Sequence, residues 1–125
     1  MTLHIQTIFI EEKTAFAATM YNWLVESGFN VVPFDNSQEQ GEKIDAVVLF
    51  HENHNFDKRV SELRDNFDRL QVASHKIDLS GTMNVALSHL SLFFDRTKCK
   101  NVLFLGSDNL KNHPKLAVFQ EKWNL

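Results

Sequence analysis

The chain has little with which to build disulfide, metal-thiolate or phosphate-loop chemistry. Its 125 residues include one cysteine, Cys99, four glycines and two prolines. A lone cysteine excludes an internal disulfide and any multi-cysteine zinc or iron-sulfur site. Following a helix-patterned segment, Cys99 is expected to be a small buried apolar residue. Four glycines are too few for a glycine-rich phosphate loop, and neither GxGxxG nor GxxxxGK followed by Ser or Thr occurs. A GxSxG nucleophile elbow is absent too, and Cys99 is expected at the end of the sheet away from the polar clusters. No apolar run approaches the roughly 20 residues that span a bilayer, and the first residues lack the basic start and cleavage pattern of a signal peptide. The expectation is a cytoplasmic protein with no membrane partner.

What is present is a repeated pattern. Four hydrophobic stretches, Ile5 to Ile10, Ala46 to Phe50, a weaker Val72 to Leu79, and Val102 to Leu105, each run into a polar cluster, with helix-patterned segments between them. The clusters are Glu11-Glu12-Lys13-Thr14, His51-Glu52-Asn53-His54, Ser80-Gly81-Thr82 and Gly106-Ser107-Asp108-Asn109. Continuous apolar strands, unlike alternating ones, are buried on both faces by helices, as in a parallel α/β sheet. Ligands of such sheets bind beyond the carboxyl ends of the strands, where these clusters would gather. At this length one α/β domain over residues 1–125 is expected.

The first strand is read at Leu3 to Ile10 and its helix from about Lys13 to Ser27, with Phe16, Met20, Tyr21, Trp23 and Leu24 facing the sheet and Gly28 as the left-handed stop. Phe29 to Phe34 reads as a second strand ended by Pro33 near its edge, and Asp35 to Lys43 as a polar loop or at most one short helix. Asp45 to Phe50 is the third strand. After it Phe56, Val60, Leu63, Phe67 and Leu70 recur at spacings of four, three, four and three, a helical stripe that Asn55 or Asp57 would cap. Val72 to Leu79 contains His75, Lys76 and Asp78, so its reading as a strand rests partly on its place in the alternation. Met83, Ala86, Leu87, Leu90, Phe93 and Phe94 mark the next helix, with Ser80 or Thr82 as N-cap candidates. Asn101 to Leu105 is the last strand, and a final helix begins at Pro114 and covers the sheet with Leu116, Phe119 and Trp123. Right-handed crossovers then give a three-layer, five-stranded, mainly parallel sheet with the flavodoxin-like order 2-1-3-4-5. That order brings Glu11 and Glu12 close to His51 and Glu52.

Net charge is −3 but uneven: −7 over residues 1–95 and +4 over residues 96–125. Arg96, Lys98 and Lys100 close a predicted helix, where cations favour the negative end of the dipole. No aromatic residues interleave them as a single-strand platform requires, so no nucleic-acid partner is expected. Glu11 and Glu12 can offer hard oxygen ligands to a divalent cation such as magnesium, or sit at a helix start through the dipole alone. His51-Glu52-Asn53-His54 holds two imidazoles and a carboxylate at a spacing no zinc motif uses, and a solvated loop is the simpler reading. Ser80-Gly81-Thr82 and Gly106-Ser107-Asp108 offer hydroxyls and N–H groups to a phosphate, or are ordinary caps and turns.

Ile8-Phe9-Ile10-Glu11-Glu12, followed by Phe16-Ala17-Ala18-Thr19, the Trp23-Leu24 to Gly28-Phe29 stretch and Asp45-Ala46-Val47-Val48-Leu49, resembles a response-regulator receiver domain. That likeness implies an acidic pair after the first strand and Ser80 as the Ser/Thr after the fourth. It places the phosphoacceptor on Phe50 and the lysine after the fifth strand near Gly106-Ser107, so neither functional side chain is present. The first strand and helix, Gly28-Phe29-Asn30-Val31, the turn Gly41-Glu42 and Ser61-Glu62-Leu63 are also similar to a Toll/interleukin-receptor (TIR) domain. In NAD-cleaving members a Glu before Leu on the third-strand helix is catalytic, which implies Glu62, a carboxylate that would stabilise charge on the ribose as nicotinamide leaves. Here Lys58-Arg59-Val60 replaces the Trp-Cys expected before it. Otherwise Glu62 is a solvated neighbour of Arg59 and Arg69.

The expectation is therefore a non-catalytic signalling or protein-interaction module of receiver-like fold, with a protein partner or a second copy of itself. The alternative is a small nucleotide-binding protein or TIR-like NAD hydrolase. In it Glu11, Glu12, His51, Glu52, Asp78, Ser80, Ser107 and Asp108 would line the crevice, with magnesium or NAD as cofactor and Glu62 catalytic in the TIR-like version. Against the alternative stands a shortage of cations, Lys13 being the one Arg or Lys expected there to meet phosphate.

Overall fold

The computed structural model describes residues 5–11 and 14–123. Its elements, in chain order, are β1 (Thr7–Glu11), α1 (Ala15–Glu26), β2 (Asn30–Phe34), α2 (Gln38–Lys43), β3 (Ala46–His51), α3 (Lys58–Arg69), β4 (Ala73–Asp78), α4 (Met83–Thr97), β5 (Asn101–Gly106) and α5 (Pro114–Lys122), with a short 3-10 turn at Asp108–Leu110. Helix starts follow local chemistry. Thr14 accepts the Ala17 N–H at 3.0 Å, Ser37 the Gln40 N–H at 3.2 Å and Asp57 the Val60 N–H at 2.9 Å. Each satisfies an N–H that has no partner within its helix. Pro114 opens α5, capped by His113, whose ring accepts the Lys115 N–H. After α1, Gly28 takes φ +91°, a conformation open to glycine at no steric cost. Thr82 stands at the N-cap of α4 without a side-chain bond.

Every strand pairing is parallel, and the sheet runs β2-β1-β5-β3-β4. The fold class is the one expected; the order 2-1-3-4-5 is corrected, because β5 lies between β1 and β3. Burial accounts for the difference. All six residues of β3 are buried, and five of the six in β5, whereas β4 buries Ile77 alone and leaves Ser74 and Lys76 exposed. The strand that carries His75, Lys76 and Asp78 therefore takes an edge, where one side faces water, and the fully apolar β5 takes the centre. Pro33 occupies the other edge strand, β2, where its missing N–H removes one ladder donor.

Helices α1, α4 and α5 cover one face, although Tyr21 of α1, expected to face the sheet, is exposed. Phe16, Met20, Leu24, Leu90, Phe93 and Phe119 pack there on Ile8, Ile10, Val48, Phe50 and Phe104. The other face is thinner, with Ile44 after α2 and Val60 and Phe67 of α3 over Phe9, Val47, Leu49, Leu103 and Leu105. Alternate residues of each strand thus enter opposite cores. The Phe-rich composition is concentrated on the first face, where Phe50 meets Phe119 edge-on at 5.0 Å and Trp123 reaches Phe119 at 5.3 Å. Cys99 is buried just before β5, at the amino end of the sheet, and burial pushes its thiol above the ordinary value. Among the described residues no helix is long and apolar enough to cross a membrane.

Candidate functional site at the strand carboxyl ends

Glu11 is the last residue of β1 and lies on the same face as Phe9, under α3. It is 5% exposed. A carboxylate so placed needs a counter-charge, and Arg59 in the first turn of α3 supplies one through an ion pair and hydrogen bond. The same guanidinium approaches the Gly106 carbonyl at 3.4 Å and the Asp57 carboxylate at 3.6 Å. Beside it, the buried Ser107 hydroxyl accepts the Asp57 N–H at 3.1 Å, fixing the start of α3. Asp108 accepts the Ala15 N–H at 3.0 Å and so shares with Thr14 the capping of α1. Glu12 and Lys13 lie outside the described residues.

The β3 end is a second group built around a tight turn. Asn53 and His54 have φ of 53° and 64°, consecutive left-handed residues, and Glu52 bridges to Asn55 in antiparallel fashion. Such a turn is costly for side chains other than glycine and must be held by its surroundings. Two site candidates hold it: Asp78 accepts the Asn53 N–H at 3.2 Å, and His51 Nδ1 accepts the His54 N–H at 3.0 Å. Asp78 also accepts the Ser80 N–H at 2.9 Å and the Ser80 hydroxyl at 2.6 Å. Burial alone would raise the Asp78 carboxyl; these donors and the nearby His51 outweigh it and hold the pKa at about 2. His51 is 1% exposed, and burial lowers its pKa, with His54 and Lys76 adding to the shift and Asp78 opposing it. With Nδ1 accepting, its remaining proton sits on Nε2. His113 has the same tautomer for the same reason: Nδ1 accepts the Lys115 N–H at 3.1 Å, and Nε2 meets the Glu52 carboxylate.

The strand ends thus gather seven of the eight residues expected there, in two groups. Glu11, Ser107 and Asp108 stand around β1 and β5; His51, Glu52, Asp78 and Ser80 stand around β3 and β4. Direct approach of Glu11 to His51 and Glu52 is corrected, since β5 and Gly106 come between them. The solvated-loop reading of His51 is corrected as well: the ring is core, stacked on His54 at 4.9 Å and close to Phe56 at 5.0 Å. Arg59, which arrives from a helix on the neighbouring strand's face, is a cation not expected at this end, and Glu11 and Asp57 neutralise it. Its position one residue before Val60, on the flank of the buried stripe, is the signal that could have found it. All seven described candidates have a hydrogen-bonding or ionic partner within the chain. Among the described residues no group of three or more His, Cys, Asp or Glu side chains is placed to hold a metal ion.

A cleft among the described residues lies elsewhere. It encloses about 540 Å³ between α3 and the turn that joins β2 to α2, and its walls include Phe34, Ser37, Arg59, Glu62, Phe67 and Arg69. Glu62 shares this cleft with Arg59 and Arg69, but its charge partner is Lys58, at 3.9 Å, and its side chain is 65% exposed.

No family model matches the chain, and no curated protein matches it. A solved structure from Syntrophus aciditrophicus SB, provisionally named a molybdenum carrier protein, is similar with a TM-score of 0.68, covering 94% of this chain and 92% of that one at 11% identity. The likeness shows the α/β fold.

Proposed function

We propose that this protein is a non-catalytic signalling or protein-interaction module, whose first half resembles a receiver domain and which has no phosphoacceptor. The observation that carries the reading is the internal pairing of the strand-end groups. Glu11, His51, Glu52, Asp78, Ser107 and Asp108 each stabilise a cap, a turn or an ion pair, which leaves them engaged in holding the fold. Phe50, at the position where the receiver likeness expects an acceptor Asp, is fully buried between Phe16 and Phe119. A partner surface is available at the opposite edge from Pro33. The outer edge of β4 pairs with no other strand among the described residues, and Val85 and Leu92 on α4 beside it are 53% and 61% exposed. An open edge next to apolar side chains suits strand addition by another chain, or by a second copy. The neighbour's provisional name concerns molybdenum; at 11% identity the reading draws nothing from it.

The test has two arms. Incubation with acetyl phosphate and magnesium is expected to leave the intact mass unchanged, and a phosphorylated species on Asp45 or Asp78 would overturn the reading. Light scattering across a concentration series, with and without Val85→Asp and Leu92→Asp together, tests whether this edge drives self-association. One observation favours a second reading, a TIR-like NAD hydrolase: Glu62 stands on the wall of a cleft of about 540 Å³. NAD consumption that disappears in Glu62→Ala would move the protein to that class.

A further inference from the structure

We propose that the cleft between α3 and the β2–α2 turn binds a planar aromatic small molecule bearing one anionic group, with the anion held by Arg69. The inference depends neither on the interaction-module reading nor on NAD turnover. A volume of about 540 Å³ lies within the range of small-molecule sites, roughly 300–1,000 Å³. One wall is a single face of α3 from Arg59 to Arg69, which rises about 15 Å over ten residues. The floor is apolar: Phe34 and Phe67, 3% and 4% exposed with ring centroids 6.2 Å apart, show only their edges there, and the half-buried Leu63 stands beside them.

Charge along this trough is unequal. At one end Arg59 is compensated by the buried Glu11 carboxylate and by Asp57, and Glu62 is paired with Lys58. At the other end Arg69 has no carboxylate within 4.0 Å among the described residues and contacts the Asn66 side-chain oxygen. Arg69 lies in the last turn of α3, where a cation is favourable through the helix dipole. The dipole accounts for a cation there but not for Leu70, the next residue, which also lines the cleft and is 64% exposed. A ligand whose rings lie against Leu63 and Leu70, above the edges of Phe34 and Phe67, with its anion at Arg69, covers the exposed apolar surface and balances the charge together. The reverse orientation would set the anion against Glu62.

The test uses two dyes that share a ring system, on the folded full chain. 8-Anilinonaphthalene-1-sulfonate carries the anion; N-phenyl-1-naphthylamine lacks it. The sulfonate is expected to saturate one site per chain and to shift amide resonances within residues 34–41 and 59–70. Arg69→Glu is expected to weaken the sulfonate about tenfold or more, and Arg69→Lys to keep affinity within about threefold, while the uncharged dye binds all three proteins alike. Arg69 is a surface residue, and circular dichroism confirms that each variant is folded. Absence of saturable binding, resonance shifts elsewhere, or equal sulfonate affinity in the native protein and Arg69→Glu would each overturn the proposal.

Discussion

Replacing Gly106 by Ala is the sharpest probe of how this sheet and its first helix meet. A Cβ added there would lie 2.7 Å from two ring carbons of Phe16 and 2.9 Å from a third. Carbon atoms in contact prefer about 3.5–4.0 Å, so something must move by about 1 Å. Phe16 has no room to give. Its ring is 1% exposed and lies against Phe50 at a centroid distance of 5.3 Å, and Phe50 in turn abuts Phe104 and Phe119. Overpacking of this kind costs about 1–3 kcal/mol, offset by about 0.4–1 kcal/mol from the reduced freedom of the unfolded chain. With an unfolding entropy of about 2.1 cal/mol/K per residue, a net loss of 1–2 kcal/mol lowers Tm by roughly 4–8 °C for a chain of this length. Differential scanning calorimetry measures it. The clash account makes a second demand: Phe16→Leu, destabilising by itself, must cost less in the Gly106→Ala background, with a coupling of about 0.5 kcal/mol or more. Additive losses, or a Gly106→Ala protein as stable as the native one, would refute the reasoning.

Arg59→Ala leaves the Glu11 carboxylate buried without its counter-charge and is expected to cost about 3–5 kcal/mol in urea unfolding, much of it recovered by adding Glu11→Leu. His51 and His75 are both held below the ordinary imidazole value by burial, His75 with further lowering by His89 and Arg96. The unfolded chain therefore binds more protons below pH about 6.5, so stability is full above that value and falls as the pH drops toward the folded pKa values, at up to about 1.36 kcal/mol per pH unit for each histidine. Asp78 acts lower: its contribution is present above 3.8 and is lost between there and about 2. Urea midpoints across the acid range resolve the two windows, and a flat profile between pH 7 and 5 would count against the histidine assignment. Val85→Asp with Leu92→Asp should leave Tm nearly unchanged, within about 0.5 kcal/mol per site, while lowering the mass seen by light scattering if that face carries self-association.

The elements were legible in the sequence because their determinants are local. Apolar periodicity located α1, α3 and α4, and Asp57, Gly28 and Pro114 stand where capping and backbone chemistry require. Strand order was not legible from alternation alone, since right-handed crossovers permit β5 to lie beside β4 or to return over β3. A comparison of strand polarity would have decided it: Val102 to Leu105 has no polar residue and belongs between neighbours, whereas His75, Lys76 and Asp78 mark an edge. The candidate site was legible as a place. Its partners were not, because Glu11 and Arg59 are 48 residues apart, Glu52 and His113 are 61 apart, and such pairs leave no mark on local pattern. The roles of His51 and Asp78 in supporting left-handed residues at Asn53 and His54 follow from backbone angles that no motif in that segment announces.

The central position of β5 has a consequence for how the chain is made. β1 pairs with β2 and β5, and β3 pairs with β4 and β5, so no ladder joins the first pair to the second until Asn101–Gly106 is in place. During synthesis the two βαβ units emerge with Phe9, Val47 and their neighbours on unpaired inner edges, and the strand that joins them arrives last. Closure is then a long-range event with a high loop-entropy cost, which slows folding and lengthens exposure to aggregation. A chain halted before Asn101 would present two apolar edges of like direction to every other such chain, the condition under which nascent proteins depend most on chaperones.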